Sequence, residues 1–296
     1  MQIQGHDIKL QGKLLRIAGL SADTYEFLND PEAALDLLRS GGERVDLFTF
    51  MQKLPDTSPK YSYPMEWDNL AVLPITTFDD WWTKQVNDKT RNMARRAGKK
   101  GVTIRQVPLD DAFIEGVWSI YNECEVRQGK RYPHFGKDLE TVRKMTATFL
   151  DRSVFMGAYL DGRMIGFCRL HCDATRTQAG LSSILSLMQH RDKAPTNALV
   201  AEAVRYCADK GIPYLVYSRY SDGNKERDSL MDFKDHNAFR RINLPRYYIP
   251  LTCRGRIALS MGLHKGLASH IPDPILARLR ALRKAWYSRT IQTATE

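Results

Sequence analysis

No stretch of this 296-residue chain approaches the roughly 20 consecutive apolar residues that a helix needs to cross a bilayer. The opening segment, MQIQGHDIKL, lacks the apolar centre of a secretory signal, so a cytoplasmic protein is the expectation. Cysteine is scarce. The five, Cys124, Cys168, Cys172, Cys207 and Cys253, are odd in number and scattered, which does not read as a disulfide framework. Cys168 and Cys172 flank His171, but in an extended strand 168 and 172 share one face while 171 points to the other. No metal site is therefore expected there. Internal repeats and low-complexity tracts are missing as well.

Negative charge is short in two places. Between 84 and 105 eight Lys and Arg face one acid, Asp88, and between 251 and 296 eight face only Asp273 and Glu296. These two segments more than account for the net charge of +10, leaving the rest mildly acidic. Concentrated positive charge suits a polyanion, whether nucleotide phosphates, tRNA or an anionic membrane surface; a solvated basic face is the bland alternative. A hydrophobic content of 43% with 26% charged residues is that of a soluble globular protein with a real core, in one large domain or two small ones.

What is present alternates between strand and helix signals. Residues 1–78 read as a small α/β region, with strands at 14–20, 45–52 and 69–75. A helix at 32–40 follows Asp30 as N-cap and Pro31 in the first turn, and Gly41-Gly42 stops it. A helix is expected from 77 to about 100, capped by Asp79 or Asp80, burying Trp82, Val86, Met93 and Ala97 and ending at Gly101. Arg91, Arg95 and Lys99 would form a basic stripe along it. Then come a strand at 102–107, helices at 111–127 and 138–150, and strands at 153–160 and 163–173. The last two turn at Asp161-Gly162, where both positions tolerate positive φ. A strand at 180–189, a helix at 195–210, a strand at 213–219, a helix at 225–236 and a strand at 239–250 complete the order. The pattern predicts an α/β (α+β) fold: a mixed sheet with helices on both faces. Residues 274–290 read as a basic amphipathic helix, suited to peripheral contact with a membrane or phosphate backbone, or to packing on its own domain or a dimer partner.

From about 101 to 251 this order resembles the GNAT-type acyltransferases. VFMGAYLDGRMIGFCRL (154–170) resembles their central hairpin, and APTNALVAEAVRYCADKGIPYLVY (194–217) their cofactor-side helix and next strand. LMDFKDHNAFRRINLPRYYIPL (230–251) resembles the closing F-K-x-x-x-G-F helix and last strand, with Ala238 where glycine is usual. RNMARRAGKKGVTIRQV (91–107) looks like the Fem branch, the peptidoglycan aminoacyltransferases. The resemblance implies a mostly antiparallel GNAT-like sheet over 79–251, preceded by 1–78 as a reduced first half of a Fem-type pair and followed by a basic extension, 252–296. It also implies an N-acyltransferase that moves an acyl group from acyl-CoA to an amine. The alternatives are an aminoacyl-tRNA-dependent transferase acting on a cell-envelope precursor, and a non-catalytic binding module on the same fold.

Several site residues follow from that likeness. The family's phosphate loop, Gln/Arg-x-x-Gly-x-Gly/Ala, aligns with Arg191-Asp192-Lys193-Ala194-Pro195-Thr196, so Ala194 and Thr196 stand at the glycine positions. Arg191, Lys193, Thr196 and Asn197 are the candidates to hold CoA phosphates; otherwise this is a plain helix start. Acyl transfer needs a neutral amine, a proton route and donors for the oxyanion. The family's carboxylate and tyrosine are both missing, from LSSILSLMQ and NKERDSLMDFKDHN. Tyr217, Tyr220 and Glu123 are the substitutes, although Tyr217 also suits a core and Glu123 a surface pair with Arg127. A proton lost through water needs no dedicated base. Arg127, Tyr132 and His134, in a loop that shapes the acceptor pocket in the family, suggest an anionic or sugar-like acceptor, the alternative being an ordinary mobile loop.

Overall fold

The computed structural model describes residues 2–127, 130–221 and 227–265. Eleven strands form one mixed, mostly antiparallel sheet. The chain begins with β1 (Gln2–Ile3), β2 (His6–Gln11) and β3 (Ile17–Leu20), then α1 (Pro31–Ser40), β4 (Leu47–Met51) and β5 (Met65–Pro74). Next come α2 (Phe78–Asp80), α3 (Asp88–Lys99), β6 (Thr103–Val107), α4 (Asp111–Tyr121), a small hairpin of β7 (Val126–Arg127) and β8 (Lys130–Arg131), and α5 (Leu139–Thr146). β9 (Ser153–Leu160), β10 (Arg163–Cys172), β11 (Ala179–Ser186), α6 (Pro195–Asp209) and β12 (Tyr214–Val216) follow. The described chain closes with α7 (Ser229–His236), β13 (Arg240–Pro250) and α8 (Cys253–Ser260).

The spatial order is β1-β2-β3-β4-β13-β5-β12-β11-β10-β9-β6. Among the described strands only β3–β4 and β11–β12 run parallel. β5 thus lies inside the sheet, between β13 and β12. The register of β10 puts neighbouring residues on opposite sides. A Cβ on Gly166 would touch Leu199 of α6 at 3.4 Å, while the Phe167 ring lies 6.1 Å from Phe113 of α4. Helices therefore cover both faces, as the alternation of strand and helix signals predicts.

The expected hairpin turn is present, with φ of 49° at Asp161 and 78° at Gly162. Asp30 caps α1 by accepting the Ala33 N–H at 3.1 Å, with Pro31 at the first position. The helix expected over 77–100 is broken instead. Thr77, not an aspartate, caps α2; a π-helical turn spans Trp81–Gln85; Val86 is extended; and Asn87 caps α3 anew. Trp81 explains the break, because its buried indole reaches across to donate to the Asn237 carbonyl at 3.2 Å. Arg91 holds the break together by donating to the Trp82 carbonyl at 2.8 Å and pairing with Asp88 at 2.6 Å. It therefore leaves the expected stripe, of which Arg95 and Lys99 are exposed; Arg96 and Lys100 beside them are exposed as well. Trp82 and Met93 are half-buried rather than buried.

Other boundaries move for local reasons. α4 ends at Tyr121 rather than 127, because the Asn122 side chain turns back to donate to the Trp118 carbonyl at 3.0 Å. α8 is a separate element that the sequence signals do not mark. It is capped by Thr252 and sits so close to β4 that a Cβ on Gly255 would come within 1.9 Å of the Asp46 carbonyl oxygen. The expected helix at 274–290 lies outside the described residues.

Ala238 and Ala194, both at glycine positions of the resemblance, adopt left-handed backbone, with φ of 68° and 53°. The backbone thus keeps the conformation glycine favours while the side chain carries the strain. Ala238→Gly is expected to stabilise the protein by about 1 kcal/mol and raise its melting temperature by about 2 °C. An unchanged or lower melting temperature by calorimetry would refute this account.

Candidate functional site

β11 and β12 pair over two residues only, Ala179 with Leu215 and Gly180 with Val216. Beyond that the two strands part. The chain after β12 stays with β5 instead: Tyr217 N–H donates to the Ala71 carbonyl at 2.8 Å, and Ala71 N–H to the Ser218 carbonyl at 2.9 Å. Tyr25 braces the root of the split by donating from its hydroxyl to the Leu181 carbonyl at 3.2 Å, and a Cβ on Gly180 would collide with its ring at 2.1 Å.

A cavity of about 560 Å³ opens at the split. It is walled by the end of β11, the start of α6, α7 and the loop after β8. It brings together six of the sequence-selected residues: Arg127, Tyr132, Arg191, Thr196, Asn197 and Tyr217. Its apolar walls include Ile184, Leu185, Met188 and Phe233, and Arg131 adds charge at the rim. Tyr217 is half-buried, and burial pushes its phenol up to about 12, so it remains protonated at neutral pH. It can therefore donate a hydrogen bond or a proton but cannot serve as a base. Phe233 and Phe239 meet its ring edge-on or tilted, and the Lys234 ammonium lies 5.2 Å from its centroid.

The other selected residues lie outside this lining. Glu123 accepts the Met188 and Gln189 N–H groups at 2.7 and 3.2 Å and pairs with Arg127 at 2.9 Å. Its carboxylate thus closes the 3-10 turn Met188–Lys193, which carries Arg191. Lys193 pairs with Asp192 at 3.4 Å. His134 stacks on Tyr121 at 4.6 Å and edges against Tyr132 at 5.3 Å, and burial together with Lys137 holds it below its ordinary value. It is neutral at pH 7. Tyr220 hydrogen-bonds Asp235 and lines a different cavity.

Within the first cavity, Arg127 is largely committed to backbone, donating to the Ser186 and Ile120 carbonyls at 3.0 and 2.7 Å, with Tyr132 stacked over its guanidinium. The Thr196 hydroxyl is 3.1 Å from that of Ser186. Arg191 is exposed and forms no ion pair among the described residues.

A second cavity, of about 930 Å³, lies on the far side of Tyr217, between β2–β4, β13 and α7. Tyr217 and Leu230 line both. Its floor holds Arg246, 4% exposed, which donates to Asp68 at 2.7 Å and pairs with Asp23 at 2.9 Å, while Arg219 pairs with Asp68 at 3.1 Å. None of this is visible as a sequence motif, because the four residues come from four distant segments. His171 lies elsewhere, with its Nε2 2.7 Å from the buried Glu26 carboxylate. Among the described residues no cluster of His, Cys, Asp and Glu is arranged for a metal ion.

These features define a GNAT-like fold split between β11 and β12. The chain is similar to the C-terminal domain assigned to a lysylphosphatidylglycerol synthetase from Agrobacterium fabrum, with a TM-score of 0.55 and 12% identity over 86% of this chain and 82% of that one. It is similar also to L-PGS from Bacillus licheniformis, with a TM-score of 0.54 and 13% identity over 86% and 85% of the two chains. A tandem GNAT protein from the clavulanic acid biosynthesis pathway superposes less well, with a TM-score of 0.46 and 11% identity over 82% and 78%. No family model and no curated protein matches the sequence. No helix among the described residues is long and apolar enough to cross a membrane.

Proposed function

We propose that the chain is an acyl-transferring enzyme that takes an aminoacyl group from tRNA at the 560 Å³ cavity and passes it to an acceptor held in the 930 Å³ cavity. One observation carries the donor assignment. Arg95, Arg96 and Lys99 are exposed cations of α3, and Lys100 caps it; the helix packs against the Met188–Lys193 turn, from which Arg191 reaches the cavity. Exposed cations on a helix beside the turn that carries Arg191 to a mostly apolar chamber suit a nucleic-acid strand that delivers a small esterified group. The relatives with the better superpositions carry names of the lysylphosphatidylglycerol synthetase type, which fits an aminoacyl donor.

In the reaction, the acceptor amine or hydroxyl bonds to the aminoacyl carbonyl carbon and the ester C–O bond to ribose breaks. The acceptor's proton leaves through water, and the departing ribose oxygen takes a proton. We assign to Tyr217, protonated and lining both cavities, the supply of that proton or a hydrogen bond to the oxyanion. Glu123 acts through position, fixing the turn that carries Arg191.

A second reading, acyl-CoA as donor, is favoured by Ala194. Its left-handed backbone at the start of α6 preserves the bend of a phosphate loop. The two separate cleanly. Gel-shift titration with tRNA is expected to show binding that weakens about a hundredfold between 50 and 200 mM salt, the effect of roughly four phosphate contacts. No tRNA shift at the lower salt, together with saturable binding of acetyl-CoA by calorimetry, would replace the first reading with the second.

A further inference from the structure

Ten large apolar side chains stand exposed among the described residues. Of these, Leu230 and Leu263 line the 930 Å³ cavity, Leu14 lies between its lining residues Gly12 and Leu15, and Ile257 and Met261 precede Leu263 in and just after α8. Leu14, 83% exposed, is at the tip of the β2–β3 hairpin. Arg254 of α8 donates to the Leu14 carbonyl at 3.0 Å, which sets the helix beside the hairpin tip. Ile257 and Met261, each 60% exposed, are four residues apart and share one side of that helix end. Lys9 and Lys13 belong to the same hairpin and Arg254 and Arg256 to the same helix, all exposed and without an ion pair among the described residues. Neighbouring acids are already engaged: Glu43 with Arg16, and Glu66 with His264 and Lys265.

Apolar groups on a hairpin tip and a helix end protrude rather than line a groove. Carried on a hairpin and a helix whose exposed cations have no ion pair among the described residues, they suit a fluid anionic layer better than a moulded protein partner. We propose that this face docks on an anionic lipid bilayer. Leu14, Ile257 and Met261 enter the boundary between headgroups and acyl chains, and Lys9, Lys13, Arg254 and Arg256 meet lipid phosphates. The cavity mouth then opens at the membrane surface. This holds whichever donor serves the other cavity.

The test is co-sedimentation of the full chain with vesicles of phosphatidylcholine, alone or with about one third phosphatidylserine. Binding is expected to the mixed vesicles and not to the neutral ones. Leu14→Glu/Met261→Glu and Lys13→Glu/Arg256→Glu are each expected to weaken it about tenfold or more, since each reverses or removes a membrane-facing term. Leu150→Glu, at an exposed apolar residue away from this face, is expected to bind as the unmodified chain does. Circular dichroism confirms that the variants fold. No sedimentation of the unmodified chain would overturn the proposal. So would equal binding to neutral vesicles, or undiminished binding by the two double variants, which would place the contact elsewhere.

Discussion

Replacing Glu26 by alanine is expected to destabilise the protein by about 3 kcal/mol, the usual cost of removing one member of a buried charged cluster. Glu26 is 4% exposed, and its carboxylate meets His6, His171 at 2.7 Å and Arg152 at 3.1 Å. These contacts tie the segment before α1 to β2, to β10 and to the turn before β9. Burial by itself would raise the carboxyl's pKa. The hydrogen bonds from His171 and His6 and the charge of Arg152 outweigh burial and hold it well below the ordinary carboxylate range. A folded-state value below the unfolded one stabilises fully above the unfolded pKa of about 4.3, and that stability is lost as pH falls through the folded value. Urea denaturation curves of the native chain and of Glu26→Ala should therefore differ most at pH 7 and converge as pH drops below about 4. A gap that stays constant to pH 3 would show that the ionised carboxylate is not what holds these segments together.

Arg246→Met should cost about as much, again near 3 kcal/mol, because methionine fills the volume but leaves Asp68 and Asp23 with Arg219 alone. Asp68 has a side chain only 14% exposed, so water cannot replace the lost partner fully. Adding Asp68→Asn to that variant removes the stranded charge and is expected to restore about 1 kcal/mol or more, which a double-mutant cycle measures directly. Simple additivity of the two losses would mean that Arg246 and Asp68 do not act as a pair. The same substitution also takes one positive charge out of the 930 Å³ cavity. It should therefore weaken any anionic acceptor even where the fold survives.

The parts legible in the sequence were those whose signals are local. The hairpin at Asp161-Gly162, the start of α6 at Ala194-Pro195 and the cap at Asp30 each declare themselves within a few residues. The break at Val86 did not, because Trp82, Val86, Met93 and Ala97 keep an apolar spacing that also suits one long helix. What breaks it is a partner on another element, the Asn237 carbonyl. Glu123 shows the same limit within the site. Its spacing to Arg127 was readable, but its capping of the Met188–Lys193 turn depends on a strand some 60 residues away. The second cavity was illegible for the strongest form of this reason. Asp23, Asp68, Arg219 and Arg246 look like ordinary surface charges until the sheet gathers them.

β5 lies between β12 and β13, and its Asp68 meets Arg246, a residue 178 positions later in the chain. The middle of the sheet cannot close on a growing ribosomal chain until β13 has emerged, since the strand that fills the gap is made last. Until then β5 presents at least one unpaired edge, and Leu70 and Val72 lack Leu244, which joins their core cluster in the finished protein. At roughly 5–20 residues per second of synthesis, that is an exposure of many seconds. An exposed strand edge during synthesis, rather than any weakness of the completed sheet, is the cost of this topology.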